Sequence, residues 1–218
     1  MRLFSYKMTD DSGFAPNPFW GRLTLATCKP EIREAKRVGD WIAGFTSGKL
    51  CGDPVGSERL VYLMQVAEKI PIGDYFLDPE FHNKFPTNDS LVGRRGDNIY
   101  RPRKKGAVLP GDFEQLNNES HYDEPALCSV GESRRTDVGG KFVLLADRFV
   151  YFGRDALNIP REVRPKIPKG QHPSGYQTHD VELARLFIDY VLSEAKSKRI
   201  LGPPTSWEPG DESWKEFD

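Results

Sequence analysis

Apolar positions in this chain fall mostly in short runs, and one stretch repeats them with the period of a long helix. Ala184, Phe187, Ile188, Val191, Leu192 and Ala195 recur at i, i+3, i+4, i+7, i+8 and i+11, which places them on one helical face. Thr178 or Asp180 supplies an N-cap, Lys196, Lys198 and Arg199 sit in the last turns, and Gly202-Pro203-Pro204 stops the helix.

The remaining runs read as strands. Leu3 to Met8 alternates and carries aromatics, and Arg22 to Cys28 is rich in Leu and Thr. Pro30 then suits the first turn of a short helix over Glu31 to Lys36, where its missing N–H costs nothing. Trp41 to Phe45 is apolar and bounded by glycine, hence a buried strand. Leu60 to Ile70 is assigned to strand because Val61, Tyr62 and Val66 are β-formers, with helix as the alternative. Lys141 to Asp147 and Phe149 to Gly153 predict a tight hairpin turning at Asp147-Arg148, and Pro79 to His82 a single helical turn.

Between these elements the pattern fades. The stretches 74–125 and 153–178 read as long loop excursions, with Asn98-Ile99-Tyr100 suggesting one short strand. The first excursion is electrically split: Arg94, Arg95, Arg101, Arg103, Lys104 and Lys105 precede the acidic Asp112, Glu114, Glu119, Asp123 and Glu124. Long loops inside a compact domain are usually functional or disordered. The chain is expected to form one domain over residues 1–205, followed by a loosely held acidic tail, 206–218.

Composition narrows the classes. Gly 20 and Pro 17 in 218 residues favour short strands over a helical bundle, and a net charge of −1 excludes a globally basic nucleic-acid coat. Cys28, Cys51 and Cys128 are odd in number and far apart, so a disulfide framework or cysteine-rich zinc site is not expected. No run approaches a membrane span and no apolar leader opens the chain, which predicts a soluble, most simply cytoplasmic, protein without a membrane partner. The fold class predicted is α+β: a curved, mostly antiparallel sheet or β-barrel with the C-terminal helix packed on it.

No Walker A loop, G-x-S-x-G, H-E-x-x-H or EF-hand pattern is present. His82, His121, His172 and His179 match no common ligand spacing, so no metal and no cofactor are expected. Cys28 precedes a helix N-terminus, where a thiolate is stabilised, but it also ends an apolar strand, and a buried inert thiol is the reading preferred for it. The loop Gly13-Phe14-Ala15-Pro16-Asn17-Pro18-Phe19-Trp20-Gly21 is the most distinctive stretch. Its rings are core plugs, a protein-facing patch, or a wall on which a base stacks for about 1–3 kcal/mol. Asn17, held between two prolines, offers the paired donor and acceptor that read a base edge. Arg94, Arg95 and Arg101 suit phosphate geometry, and Gly96 permits close backbone approach, with a solvated basic loop as the alternative.

These blocks resemble the family known as nucleotide modification associated domain 2. The resemblance runs through Phe4-Ser5-Tyr6, Ser12 to Gly21, Thr24 to Pro30, Gly39 to Gly44, Gly96 to Tyr100 and Leu144 to Gly153. It implies association with systems that modify DNA bases in phages and bacteria, and carries no catalytic residue set. A second likeness, in Lys36 to Ile42 and the following strand, is to PUA-like domains of the EVE and ASCH kind, small barrels that hold a modified or flipped base.

The leading expectation is recognition of a modified nucleobase or nucleotide, free or in nucleic acid. Phe14, Phe19, Trp20 and Trp41 would stack, Asn17 and Asn98 would read the base, and Arg94, Arg95 and Arg101 would hold phosphate. The alternative is an enzyme acting on a base or nucleotide, a transferase or glycosidic-bond hydrolase, with Asp97 or Asp40 as base and His121 or His179 as acid. A third reading is a protein–protein interaction module.

Overall fold

The computed structural model describes residues 1–122, 131–170 and 172–217. Cys128, Asp123 and Glu124 lie outside the described residues. In chain order the elements are β1 (Leu3–Lys7), β2 (Leu23–Leu25), α1 (Pro30–Ala35), β3 (Trp41–Phe45), α2 (Gly48–Cys51), β4 (Leu60–Gln65), β5 (Glu68–Pro71), α3 (Ile72–Leu77), β6 (Tyr100–Pro102), β7 (Phe113–Gln115), α4 (Glu132–Gly139), β8 (Phe142–Ala146), β9 (Arg148–Tyr151), β10 (Tyr176–Thr178) and α5 (Val181–Ala195). The fold is α+β. No described helix is long and apolar enough to cross a membrane.

The chain forms two compact units, one from Met1–Ser12, Arg37–Ala67 and Ala146–Asp218, the other from Gly13–Lys36 and Glu68–Leu145. The first unit is built on a sheet of order β10-β1-β3-β4-β9. Its β1–β3 pair is parallel and the others are antiparallel. Trp41, Phe45 and Leu63 of the sheet share one core cluster with Ala184, Phe187, Ile188 and Val191 of α5. This is the apolar stripe read from the sequence, and burying each Phe or Val contributes roughly 1.5–3 kcal/mol. Asp180 caps α5 by accepting from the Leu183 N–H at 3.0 Å. Gly44 is required where β3 crosses β4, because a Cβ there would run into the Tyr62 ring. The acidic tail is anchored at its start: Trp207 is buried and its indole N–H donates to the Ser12 carbonyl at 2.9 Å.

The second unit holds a three-stranded sheet, β2-β8-β5, and a two-stranded ribbon, β6-β7. Phe14, Tyr75, Phe81, Ile99, Tyr100, Phe113 and Val143 fill its core.

Two expectations are corrected. No sheet among the described residues closes into a barrel: β10 and β9 remain the two edges of an open sheet, whose apolar face is covered by α5 rather than by a closing strand. The predicted hairpin does not form either. β8 pairs with β5 while β9 pairs with β4, so the bend at Asp147 hands the chain from one sheet to another. Both strands are mostly buried, and each finds a partner distant in sequence. Leu60 to Ile70 is extended, as read, but is broken at Val66-Ala67 into β4 and β5.

Candidate functional site

The second unit brings Cys28, His121 and Asp137 together. Cys28 lies between β2 and α1 in a turn whose backbone is left-handed at two successive non-glycine residues, with φ of 53° at Cys28 and 41° at Lys29. Such conformations store strain and persist only where neighbours hold them. Here the Cys28 N–H donates to Asp137 Oδ1 at 2.5 Å and the Cys28 carbonyl accepts from Arg33 Nε at 2.8 Å. Arg33 is fully buried on α1 and also donates to the carbonyls of Phe142 and Asp137. Gly140 makes room for it, since a Cβ there would stand 2.6 Å from the guanidinium carbon.

Asp137 lies on α4, and its carboxylate organises the cluster. Besides the Cys28 N–H it accepts from Tyr100 Oη at 2.7 Å and stands 2.8 Å from His121 Nδ1. The Nδ1–H is not aligned for a regular hydrogen bond, so this contact is an ion pair. The opposite ring nitrogen, Nε2, lies 3.8 Å from Cys28 Sγ. Asn118 fixes the backbone of His121 by accepting its N–H at 2.7 Å, and Phe14 packs edge-on against the imidazole at 4.9 Å between centroids. Burial alone would depress the imidazole's pKa. Asp137 and the Cys28 sulfur outweigh it and push the value up to about 10. At neutral pH the group beside the sulfur is therefore an N–H donor.

The candidate ligand atoms of these three residues all lie within 4.8 Å of one another. A metal on Sγ and Nε2 would have Asp137 behind the ring as an outer partner, leaving two protein ligands among the described residues, where zinc sites take three or four. A sulfur, an imidazole and a carboxylate on the far side of that imidazole form the arrangement of a cysteine nucleophile, its proton donor and the group that orients the donor.

Phe14 and Phe19 are buried in the second unit, and Trp41 is buried in the first. Trp20 is half-buried, edge-on to Phe19 at 5.8 Å. The Asn17 amide is inside, donating to the Arg95 carbonyl at 2.8 Å and accepting from Lys84 Nζ at 2.9 Å. Lys84 is buried and also donates to the Phe19 and Arg22 carbonyls and Thr24 Oγ1. Burial lowers its pKa to about 8, with Asp97 opposing. Asp97 accepts from Thr24 Oγ1 at 2.6 Å and Tyr75 Oη at 2.8 Å; burial raises its pKa against the pull of Lys84. Asn98 donates to the Tyr75 and Phe81 carbonyls. Arg94 and Arg95 both pair with Glu119, and Arg101 pairs with Glu114. In the first unit, Asp40 accepts twice from Arg2, and His179 is exposed.

Of these residues, Phe14 and His121 meet at the cysteine cluster, while Asn17 and Asp97 share the Lys84 network. Sequence reading did not find Asp137, Tyr100, Arg33 or Lys84. The only local signal at Asp137 was the Gly139-Gly140 pair behind it, which ends α4.

A sequence model of the family described as nucleotide modification associated domain 2 matches residues 1–211. No curated protein and no solved structure matches the chain. The chain belongs to the nucleotide modification associated domain 2 family.

Proposed function

We propose that this member of the family is a thiol enzyme that modifies a nucleobase or nucleotide, with Cys28 as nucleophile, His121 as proton donor and Asp137 as the group that positions His121. The observation that carries this reading is the placement of the imidazole between a carboxylate 2.8 Å from Nδ1 and a sulfur 3.8 Å from Nε2. A protonated imidazole at that place stabilises negative charge on sulfur and delivers a proton to the atom the sulfur activates. The strained turn at Cys28 supports the same reading, because strain of this kind clusters at functional sites. The nucleotide context comes from the family.

Recognition without chemistry rests on stacking rings, and two of the three rings in the aromatic loop are core. It also rests on the amides of Asn17 and Asn98, which are committed to protein partners.

The test is a mass-spectrometric screen of the protein against deoxynucleotides and DNA for a converted product or a covalent adduct. Wild type yields one, and Cys28→Ser, with an unchanged circular-dichroism spectrum, yields neither. Equal conversion by Cys28→Ser contradicts the reading.

A further inference from the structure

The β6–β7 ribbon carries a basic run that the thiol chemistry leaves unused. Its root is fixed. Tyr100 Oη donates to Asp137 at 2.7 Å and Arg134 Nη1 donates to the Phe113 carbonyl at 2.7 Å, so both strands are tied to α4. A Cβ on Gly73 of α3 would touch Phe113 and Pro102, so α3 closes the inner face of the ribbon. Side chains alternate across a strand. Tyr100 and Phe113 are buried on the inner face, whereas Arg101 is exposed opposite Glu114. The ladder continues for one more step, where the Arg103 N–H donates to the Asp112 carbonyl at 2.8 Å. Arg103, two residues on from Arg101, is exposed as well.

Past that bond the chain turns through Lys104-Lys105-Gly106, with Gly106 left-handed at a φ of 70°, and returns through Val108-Leu109-Pro110. Lys104 and Lys105 are exposed, and Val108 and Leu109 are 68% and 63% exposed. The basic stretch from Arg94 to Lys105 is largely neutralised. Arg94 and Arg95 meet Glu119, Arg101 meets Glu114, and Lys104 meets Asp112 at 2.7 Å. Arg103 and Lys105 have no carboxylate partner among the described residues. The ribbon tip therefore presents two uncompensated cations beside two exposed aliphatic side chains.

We propose that this ribbon is an arm that docks on double-stranded DNA, with Arg103 and Lys105 on the phosphates and the Val108-Leu109 tip lodged in the minor groove as an apolar wedge. The inference goes beyond the thiol reading and does not depend on it. Cations without a partner in the protein are the groups that neutralise phosphates and release counterions. The tip chooses the form of the polyanion. Single strands are held by bases stacked on aromatic rings, and residues 103–112 contain no aromatic side chain. Aliphatic side chains and proline are instead what minor-groove proteins insert between the base steps of a duplex. The minor groove of B-DNA is about 6 Å wide, which brings both phosphate rows close to an inserted tip. A-form RNA presents a wide, shallow groove that would not hold such a wedge. The family's nucleotide context supports a nucleic-acid partner.

The experiment titrates a short fluorescent DNA duplex with the full chain, reading anisotropy at salt concentrations between about 50 and 200 mM. The separated strands and an RNA duplex of the same sequence are titrated in parallel. Wild type should bind the DNA duplex most tightly, with affinity falling as salt rises. Arg103→Gln combined with Lys105→Gln should weaken binding and flatten the slope of log K against log salt by about 1.8, since each phosphate contact on B-DNA contributes about 0.9. Val108→Ser combined with Leu109→Ser should keep the salt slope and reduce the bend of the duplex, read by energy transfer between its labelled ends. All four side chains are exposed, so the circular-dichroism spectra of both variants should match wild type. Absence of duplex binding at the lowest salt overturns the proposal, as does tighter binding of single strands or of the RNA duplex. A salt slope unchanged in the charge variant overturns the phosphate role of Arg103 and Lys105. A duplex bent equally by wild type and the tip variant overturns the wedge.

Discussion

His121 presents its two ring nitrogens to two different partners: Nδ1 stands 2.8 Å from Asp137 Oδ2, and Nε2 lies 3.8 Å from Cys28 Sγ. The same carboxylate holds the Cys28 N–H and the Tyr100 hydroxyl. One buried acid thus fixes the backbone of Cys28 and faces the ring of His121 at once.

Replacing that acid should therefore cost both stability and reactivity. Asp137→Asn keeps the size but removes the charge that faces the buried Arg33 and His121. Removing one partner of a buried ion pair typically costs about 3–5 kcal/mol. Urea unfolding should show a lower midpoint at an unchanged m-value. A midpoint equal to wild type would show that the carboxylate bears no load.

The raised pKa of His121 makes a stability prediction with a definite sign. Its value in the fold is about 10, above the ordinary imidazole 6.5, so the folded state holds the proton more tightly than the unfolded chain. The resulting stabilisation is fully present below about pH 6.5 and is lost as the pH rises through about 10. The melting-temperature gap between wild type and His121→Gln should be widest near pH 6 and close toward about pH 10.5. A gap independent of pH would contradict the assignment.

Lys84 should behave as a structural brace. Its ammonium satisfies Asn17 Oδ1, Thr24 Oγ1 and the carbonyls of Phe19 and Arg22, and it is the cation that offsets buried Asp97. Lys84→Met should destabilise by about 3 kcal/mol or more, because the acceptors and the carboxylate stay behind unpaired. Guanidinium unfolding measures this directly. A loss below about 1 kcal/mol would mean that the network is dispensable.

Elements whose information is local were legible in the sequence. The stripe from Ala184 to Ala195 and its Asp180 cap gave α5, and the all-apolar Trp41 to Phe45 gave a buried strand. Pairing was not legible. Nothing between Leu144 and Phe152 says that β8 and β9 seek different partners, since that choice is made by strands far away in sequence. The site was half legible. Cys28 and His121 were both weighed as chemistry, but Asp137 sits on α4, where Val138 is the buried apolar residue and no amphipathic period announces a helix. Arg33 and Lys84 look like surface charges in a one-dimensional reading. Their burial is created by hydrogen bonds to carbonyls that only the fold assembles. The rings and amides of the loop from Phe14 to Trp20 were legible as a feature needing cover, and most of that cover proves to be the protein's own core.

Activation of the sulfur by the imidazole decides whether Cys28 acts as a nucleophile. The direct measurement is the second-order rate of iodoacetamide alkylation at Cys28 and at Cys51, read by peptide mapping at neutral pH in wild type and His121→Gln. Cys28 should slow by at least about tenfold on loss of the imidazole, a change of about 1.4 kcal/mol or more in the barrier, while Cys51 is unaffected. Equal rates at Cys28 in the two proteins would contradict a role for His121 in activating the sulfur.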